Sequence, residues 1–316
     1  MIYFVVQNKN LGSSILRGLQ ISNELNSLNI KSKVINPHQL PTNEENAIFF
    51  WVKNINLDII RSCAKKNHHI YDIVDNYIYN KHRVDSAIKS GLLDRIIVNN
   101  SYMKSEIFKQ HNISSDDILV IHHNWDPRIA SAIKENQNNL TFGYLGSIAS
   151  FVHSANFLHY KKIAKQYNVR FYDSEIGSDV TDLLNAGKKI PRNLRNKNAM
   201  SQAKIDFNCH ISIREENSPL SKYKTSAKVV TASALGHNII TTYEDAVKDI
   251  LPSEYPFILT NTDLESVRKM FDLVKEDYNS NKLLWNKGLE IISDIKKEST
   301  ISNIVNNYIN LINTIL

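Results

Sequence analysis

Cysteine is nearly absent from this sequence: Cys63 and Cys209 are the only two in 316 residues. Two thiols in a chain of this length make no disulfide framework, and they point to a reducing compartment. Each lies in an apolar-leaning segment and reads as ordinary core packing. No stretch approaches the ~20 consecutive apolar residues that a membrane-spanning helix requires. The opening run Met1-Ile2-Tyr3-Phe4-Val5-Val6-Gln7 lacks a basic leader and a small-residue cleavage site, so it reads as a first strand rather than a signal peptide. The expected location is the cytoplasm, or the periphery of the inner face of the membrane. Neither Cys-x-x-Cys nor His-Glu-x-x-His occurs, and no metal site is expected. The dinucleotide fingerprint G-x-G-x-x-G is missing as well, which counts against a nicotinamide-linked oxidoreductase. No repeat of 20–50 residues is present, which excludes a solenoid.

What is present suits a globular α/β protein. Hydrophobic residues make up 42% of the chain and charged residues 22%, enough apolar material for a proper core. At roughly 100–200 residues per domain, the length predicts two domains. The net charge is +6 and the isoelectric point about 9.0. A modest positive excess suits phosphorylated ligands or anionic lipid headgroups, so peripheral contact with an anionic membrane is compatible with it. The basic residues are scattered rather than gathered into a stripe with aromatic platforms, and no specific nucleic acid is expected as a partner.

Apolar runs alternate with helical stretches along nearly the whole chain, the signature of parallel α/β sheets. In the first half the expected strands are 2–7, 32–35, 47–52, 69–74, 95–99 and 118–122. Helices are expected between them near 13–28, 57–66, 81–90 and 102–110. Gly18, Ile21, Leu25 and Leu28 share one face of the first helix, and Gly18 permits close approach to a strand. A polar, aperiodic stretch follows at 124–139 and reads as an interdomain linker. The alternation then restarts, with strands expected at 140–147, 169–172, 205–213, 238–242 and 256–259, before a helical C-terminal region from about residue 263. The expected organisation is a first domain over 1–125, a linker over 126–139 and a second domain over 140–299, with a C-terminal helix over 300–316 packing back on the first. Two doubly wound Rossmann-like lobes would face a cleft, and ligands in such sheets bind beyond the carboxyl ends of the strands.

One helix start carries charge in an unusual place. The segment Lys222-Tyr223-Lys224-Thr225-Ser226-Ala227-Lys228 leads into a helix with Thr225 or Ser226 as N-cap, running to Leu235 and stopping at Gly236. Cations at a helix N-terminus are unfavourable by about 0.3–1 kcal/mol each, because the macrodipole is already positive there. Arg214 approaches from the preceding strand. An anion such as a nucleotide diphosphate would turn that penalty into a binding site. The competing reading is that the lysines point to water or pair with Glu215 and Glu216.

The run Lys224-Thr225-Ser226-Ala227-Lys228-Val229-Val230-Thr231-Ala232-Ser233-Ala234-Leu235-Gly236-His237-Asn238-Ile239-Ile240 resembles the donor-site motif of GT-B glycosyltransferases, roughly K-P-S-x-K-[LV]-x-E-A-x-A-x-G-x-P-V-I. With the glycine strand Phe142–Ser147 and the loop Tyr243-Glu244-Asp245, the similarity covers most of the second lobe in order. The resemblance implies a two-lobed GT-B fold and a glycosyltransferase that uses a nucleotide-sugar as co-substrate, without a further cofactor. The acceptor would be a sugar, a lipid-linked glycan or another hydroxyl compound, as in polysaccharide biosynthesis. Two departures stand out. Thr231 and Tyr223 occupy the positions of the paired glutamates of many retaining members, so the two-glutamate site is not carried over. Glu216 or Glu244 is left to hold the donor ribose.

The remaining candidates come from strand ends. Gly12 and Ser13 join the first strand to the first helix, where Gly12 allows close backbone approach and Ser13 can cap. Gly146 and Ser147 repeat that arrangement at the head of the second lobe. Donor contacts are thus expected from Gly12, Ser13, Gly146, Ser147, Arg214, Lys224, Thr225, Ser226, Lys228 and Glu244. Asp75, beyond a buried strand, is the candidate general base, and His123 is a second candidate catalytic residue. Asp75 equally suits a turn cap, and a lone histidine equally suits the core. The sequence has no Asp-x-Asp, the acidic motif by which the other major glycosyltransferase fold holds a metal, so a metal-independent reaction is expected. The alternatives are a nucleotide-sugar epimerase on the same fold and a non-catalytic sugar-nucleotide or glycan-binding protein.

Overall fold

The computed structural model describes residues 1–9, 12–75, 77, 80–130, 133–134, 139–146, 148, 155–174, 176–186, 204–214, 222–224 and 227–316. The chain divides into two compact units. One comprises Met1–Asn124, Lys222–Ser226 and Glu298–Leu316; the other comprises Trp125–Ser221 and Ala227–Lys297.

The first unit is built on six parallel strands: β1 (Ile2–Val5), β2 (Ser32–Ile35), β3 (Ile48–Val52), β4 (His68–Asp72), β5 (Arg95–Val98) and β6 (Ile118–Val120). Their order is β2-β1-β3-β4-β5-β6. Continuous apolar runs such as Ile48-Phe49-Phe50-Trp51-Val52 form these strands because helices cover both faces, so every position is buried. Alternation divides the side chains between two cores. Phe49 and Trp51 join Tyr3, Val5 and Tyr71 on one face, whereas Phe4, Phe50 and Ile70 lie on the other. The helix Ile301–Ile315 covers that second face, with the Tyr308 ring 5.4 Å from Phe50 and 6.0 Å from Phe4. The first helical stretch runs from Gly12 to Ser27 with a π turn at Ile15–Leu19. Gly18 lies in that turn, and a Cβ there would stand 3.0 Å from Val6 Cγ1, so a larger residue would push the helix off the strand.

The second unit contains β7 (Ile133–Lys134), β8 (Phe142–Gly146), β9 (Arg170–Asp173), β10 (Ser178–Asp179), β11 (Lys204–Ile205), β12 (Cys209–Ser212), β13 (Asn238–Thr242) and β14 (Ile258–Leu259). The main sheet has the order β10-β9-β8-β12-β13-β14 and is parallel apart from the edge pair β10–β9. β7 and β11 form a separate two-stranded ribbon, so the stretch expected to be an aperiodic linker contains a short strand and the helix Pro127–Ala130. The strand expected over 205–213 is broken for a steric reason. Phe207 turns inward and its ring fills the space above Gly143, where a Cβ would stand 2.1 Å from it. Asn208 then exchanges hydrogen bonds with Thr141, its amide N donating to the Thr141 carbonyl and its side-chain oxygen accepting from the Thr141 amide. The C-terminal region forms three helices, Leu264–Asn279, Leu283–Glu298 and Ile301–Ile315. Among the described residues no helix is long and apolar enough to cross a membrane.

Candidate functional site

In the second sheet, connections leave β8 toward β9 on one side and β12 toward β13 on the other. The point where the winding reverses leaves a crevice at the carboxyl ends of the two central strands, the usual ligand position in such sheets. β8 ends there at Gly146, and the chain beyond β12 passes Ile213 and Arg214. The helix Ala227–Leu235 begins with Lys228 in its first turn and stops at Gly236, whose φ of +70° provides the left-handed stop.

Lys228 reaches back across β8. Its Nζ lies 4.7 Å from the centroid of the Tyr144 ring. A Cβ on Gly146 would stand 2.9 Å from that Nζ and 3.1 Å from Tyr144 Oη, so the ammonium occupies space that only glycine leaves open. No described residue accepts a hydrogen bond from the Lys228 ammonium. Burial, joined by repulsion from Arg214 and partly opposed by Glu244, pushes the Lys228 pKa down to about 8. Burial pushes the Tyr144 phenol well above its ordinary range, so it stays neutral beside the lysine.

Arg214 is held rather than free to swing. Its Nη1 donates to Glu244 Oε2 at 2.5 Å, while Thr242 Oγ1 donates to Glu244 Oε1 at 2.7 Å. The Arg214 backbone N–H completes the loop by donating to Thr242 Oγ1 at 3.3 Å. Only 7% of the Glu244 side chain is exposed. The carboxylate that the sequence offers to a ribose is therefore engaged in orienting Arg214. Asp173, at the end of β9, fixes the glycine loop, its two oxygens accepting from the amides of Ile148 (3.1 Å) and Ile176 (3.2 Å).

The structure thus gathers Gly146, Arg214, Lys228 and Glu244 within the second unit. Ser147, Thr225 and Ser226 lie outside the described residues, as do Glu215 and Glu216. Lys224 belongs to the first unit. Its neighbours are tied to the end of β5, with Asn99 donating to the Tyr223 carbonyl at 3.0 Å and Asn100 to the Lys222 carbonyl at 3.2 Å. Gly12 is exposed at the start of the first helical stretch. Ser13 lies inside the first turn rather than at its cap, because the helix begins one residue earlier than expected.

The first unit places Asp75 and Asp72 quite differently, although both follow or end the same strand. Asp75 Oδ1 pairs with Lys53 Nζ at 2.7 Å, and both side chains are about a quarter exposed. Lys53 has φ +66° and Val74 has φ +55°. A β-branched residue with positive φ is an outlier that costs energy, and such strain gathers at functional loops. Asp72 is buried at 1% exposure and grips the equally buried Arg17, with Nε–Oδ2 at 2.8 Å and Nη2–Oδ1 at 3.1 Å. Arg17 Nη1 also donates to the carbonyls of Ile121 and His122, and Tyr308 Oη donates to Asp72 Oδ2 at 3.2 Å. His123 is buried, and burial with the nearby Arg17 charge holds its imidazole well below its ordinary pKa. Its Nδ1 has no hydrogen-bond partner among the described residues. His123 and Asp75 follow strands two places apart in the sheet, about 10 Å, and are not brought together.

No protein-family model and no curated protein sequence matches the chain. Solved structures do match in fold. A glycosyltransferase from Rickettsia africae ESF-5 superposes with TM-score 0.63 at 11% identity, over 99% of this chain and 98% of that one. Anabaena Alr3699/HepE, solved in complex with UDP-glucose, gives 0.60 at 11% identity over 99% of each chain. The apo lipopolysaccharide outer core galactosyltransferase WaaB gives 0.56 at 10% identity, over 100% of this chain and 99% of that one. The chain has the GT-B fold.

Within this GT-B fold, several residues near the site carried no sequence signal of their own. Tyr144 is one of several apolar residues in its strand until Lys228 is seen above its ring. Thr242 joins Arg214 to Glu244 only because β12 and β13 are neighbours. Lys53 reaches Asp75 because β3 and β4 pair in register from Ile48–His68 to Val52–Asp72. Asp173 alone had a readable signal, an acidic residue directly after an expected strand.

Proposed function

We propose that this chain is a glycosyltransferase that moves a sugar from a nucleotide-sugar donor to a hydroxyl acceptor, a sugar or lipid-linked glycan, by a metal-independent reaction. The observation that carries the reading is the Lys228 ammonium at the switch point of the second sheet, set against Gly146 and Tyr144 without a hydrogen-bond acceptor among the described residues. A diphosphate oxygen supplies the missing acceptor, and Arg214, aimed by Glu244 and Thr242, supplies a second cation. In the reaction the bond from the anomeric carbon to the leaving phosphate oxygen breaks, and a bond to the acceptor oxygen forms. The electron pair departs with the nucleotide, whose growing charge Lys228 and Arg214 offset. Asp75 takes the proton of the acceptor hydroxyl; its presentation beyond the strained Val74 and its partial exposure favour it over the buried His123. The UDP-glucose complex of the structurally similar HepE supports a uridine nucleotide as the first donor to test. The +6 charge supports peripheral contact with an anionic membrane that presents a lipid-linked acceptor.

The test is incubation with UDP-, GDP-, ADP- and CMP-sugars and a panel of glycan and lipid-linked acceptors, with product masses and free nucleotide as readouts. The expected result is nucleotide release that depends on acceptor, with one sugar residue added to it. Isomerisation of the donor without acceptor would replace this reading with an epimerase. Donor binding without turnover over the whole panel would replace it with a binding protein.

A further inference from the structure

The second unit carries a groove of about 770 Å³ at the end of its sheet opposite Gly146. It is bounded by the amino-terminal residues of β8 and β9, the ends of the helices Ala155–Gln166 and Leu264–Asn279, and the helix Thr181–Asn185. The five-residue β8 separates it from Gly146 by about 13 Å. We propose that this groove binds an oligosaccharide at a site separate from the donor site.

The chemistry of the rim carries the proposal. Asn139, Gln166, Asn168, Asn185 and Asn279 come to it from four stretches of chain, and all five are exposed. None makes a side-chain hydrogen bond to a described residue. A carboxamide offers two donors and a two-lone-pair acceptor in one plane, a set that matches hydroxyl groups able both to donate and to accept. The volume lies within the roughly 300–1,000 Å³ usual for small-ligand sites. The half-buried Tyr167 is fixed in the groove wall. Its ring packs 4.8 Å from Phe271 and 6.2 Å from Phe142, and its hydroxyl donates to Asp272 Oδ1 at 2.6 Å. A rigid ring of this kind offers an apolar surface to the C–H face of a sugar at little entropic cost.

The charges argue against a phosphate or nucleotide in this groove. Arg170 is paired with Asp179 at 3.3 Å and lies 3.7 Å from Asp206. That leaves the exposed Lys165 and Lys275 against Asp182, a small excess held in water rather than a half-buried cation such as Lys228. Hydroxyl-rich neutral chemistry fits the amides better. A glycan held here would stay with the protein whichever nucleotide-sugar the other end of the sheet takes, so the inference does not rest on the donor assignment.

The test is affinity electrophoresis of the full chain through gels cast with dextran, soluble starch, hydroxyethyl cellulose or polygalacturonate. A triple variant, Gln166→Ala with Asn185→Ala and Asn279→Ala, is run alongside; its exposed positions should leave folding unchanged. The expected result is retardation by at least one neutral polysaccharide, about tenfold weaker in apparent affinity for the triple variant. The nucleotide-sugar thermal shift of the variant should equal that of the wild type. The proposal is overturned if no neutral polysaccharide retards the protein, or if the triple variant is retarded like the wild type. Retention by polygalacturonate alone, abolished by salt, would assign the groove to charge and also overturn it.

Discussion

The carboxyl edges of the two sheets treat charge in opposite ways. In the first unit Arg17 and Asp72 are deeply buried, bidentate and supported by Tyr308 and two backbone carbonyls, so every charge has its partner. In the second unit Arg214 has Glu244, but Lys228 has an aromatic face and a glycine and no hydrogen-bond acceptor among the described residues. A satisfied buried pair is architecture, joining the first helical stretch, β4 and the C-terminal helix. A half-buried ammonium that lacks an acceptor among the described residues costs stability in the free protein and is compensated when an anion arrives.

The largest effect expected from this contrast is at Asp72. Asp72→Ala leaves Arg17 buried without its counter-charge and should cost about 3–5 kcal/mol in denaturant unfolding. A loss below 1 kcal/mol would mean that the pair is not structural. Next comes Gly146→Ala, whose Cβ meets only the ends of two side chains. The fold should survive with little change in Tm, but the displaced Lys228 should weaken donor binding by about tenfold, read by calorimetry. Equal affinity would break the link between the glycine and the lysine.

Smaller, and opposite in sign to Asp72→Ala, is Lys228→Met without ligand. Replacing a partly desolvated ammonium with an apolar chain of similar length should leave the unfolding free energy at pH 7 unchanged or raise it by an amount on the order of 1 kcal/mol. The pH dependence sharpens the same point. The folded Lys228 releases its proton near pH 8 and the unfolded one near the ordinary 10.5. Between these values the unfolded chain holds more protons, so the contribution of Lys228 to stability rises with pH in that window. Donor affinity should run the other way, falling by less than tenfold per pH unit above about 8, because only the ammonium binds the diphosphate. Lys228→Met should flatten both trends in this range.

Local chemistry decided how much of this could be read from the residues alone. The strands Ser32–Ile35 and Asn238–Thr242 were readable to the residue, and Gly236 marked the helix stop. The apolar pattern over 205–213 could not reveal the break at Phe207, which exists because Gly143 on another strand leaves room for the ring. Arg17 was unreadable as a core residue because its partner lies 55 positions away and a π turn sets its direction. Lys228 stood out because a cation at a helix start needs a reason, and Arg214 because it follows the strand that leads there. That Glu244 would orient Arg214, and that Lys224 would belong to the other unit, required the strand order and the contacts.

The central claim is that the second unit holds a nucleotide diphosphate on Lys228. Its most direct test is thermal denaturation of the wild type and Lys228→Met, each titrated with UDP-glucose and with GDP-, ADP- and CMP-sugars. The account predicts that at least one donor raises the wild-type Tm in a saturable way and leaves the variant almost unmoved. Equal stabilisation of the two proteins, or no stabilisation of the wild type by any donor, would contradict it.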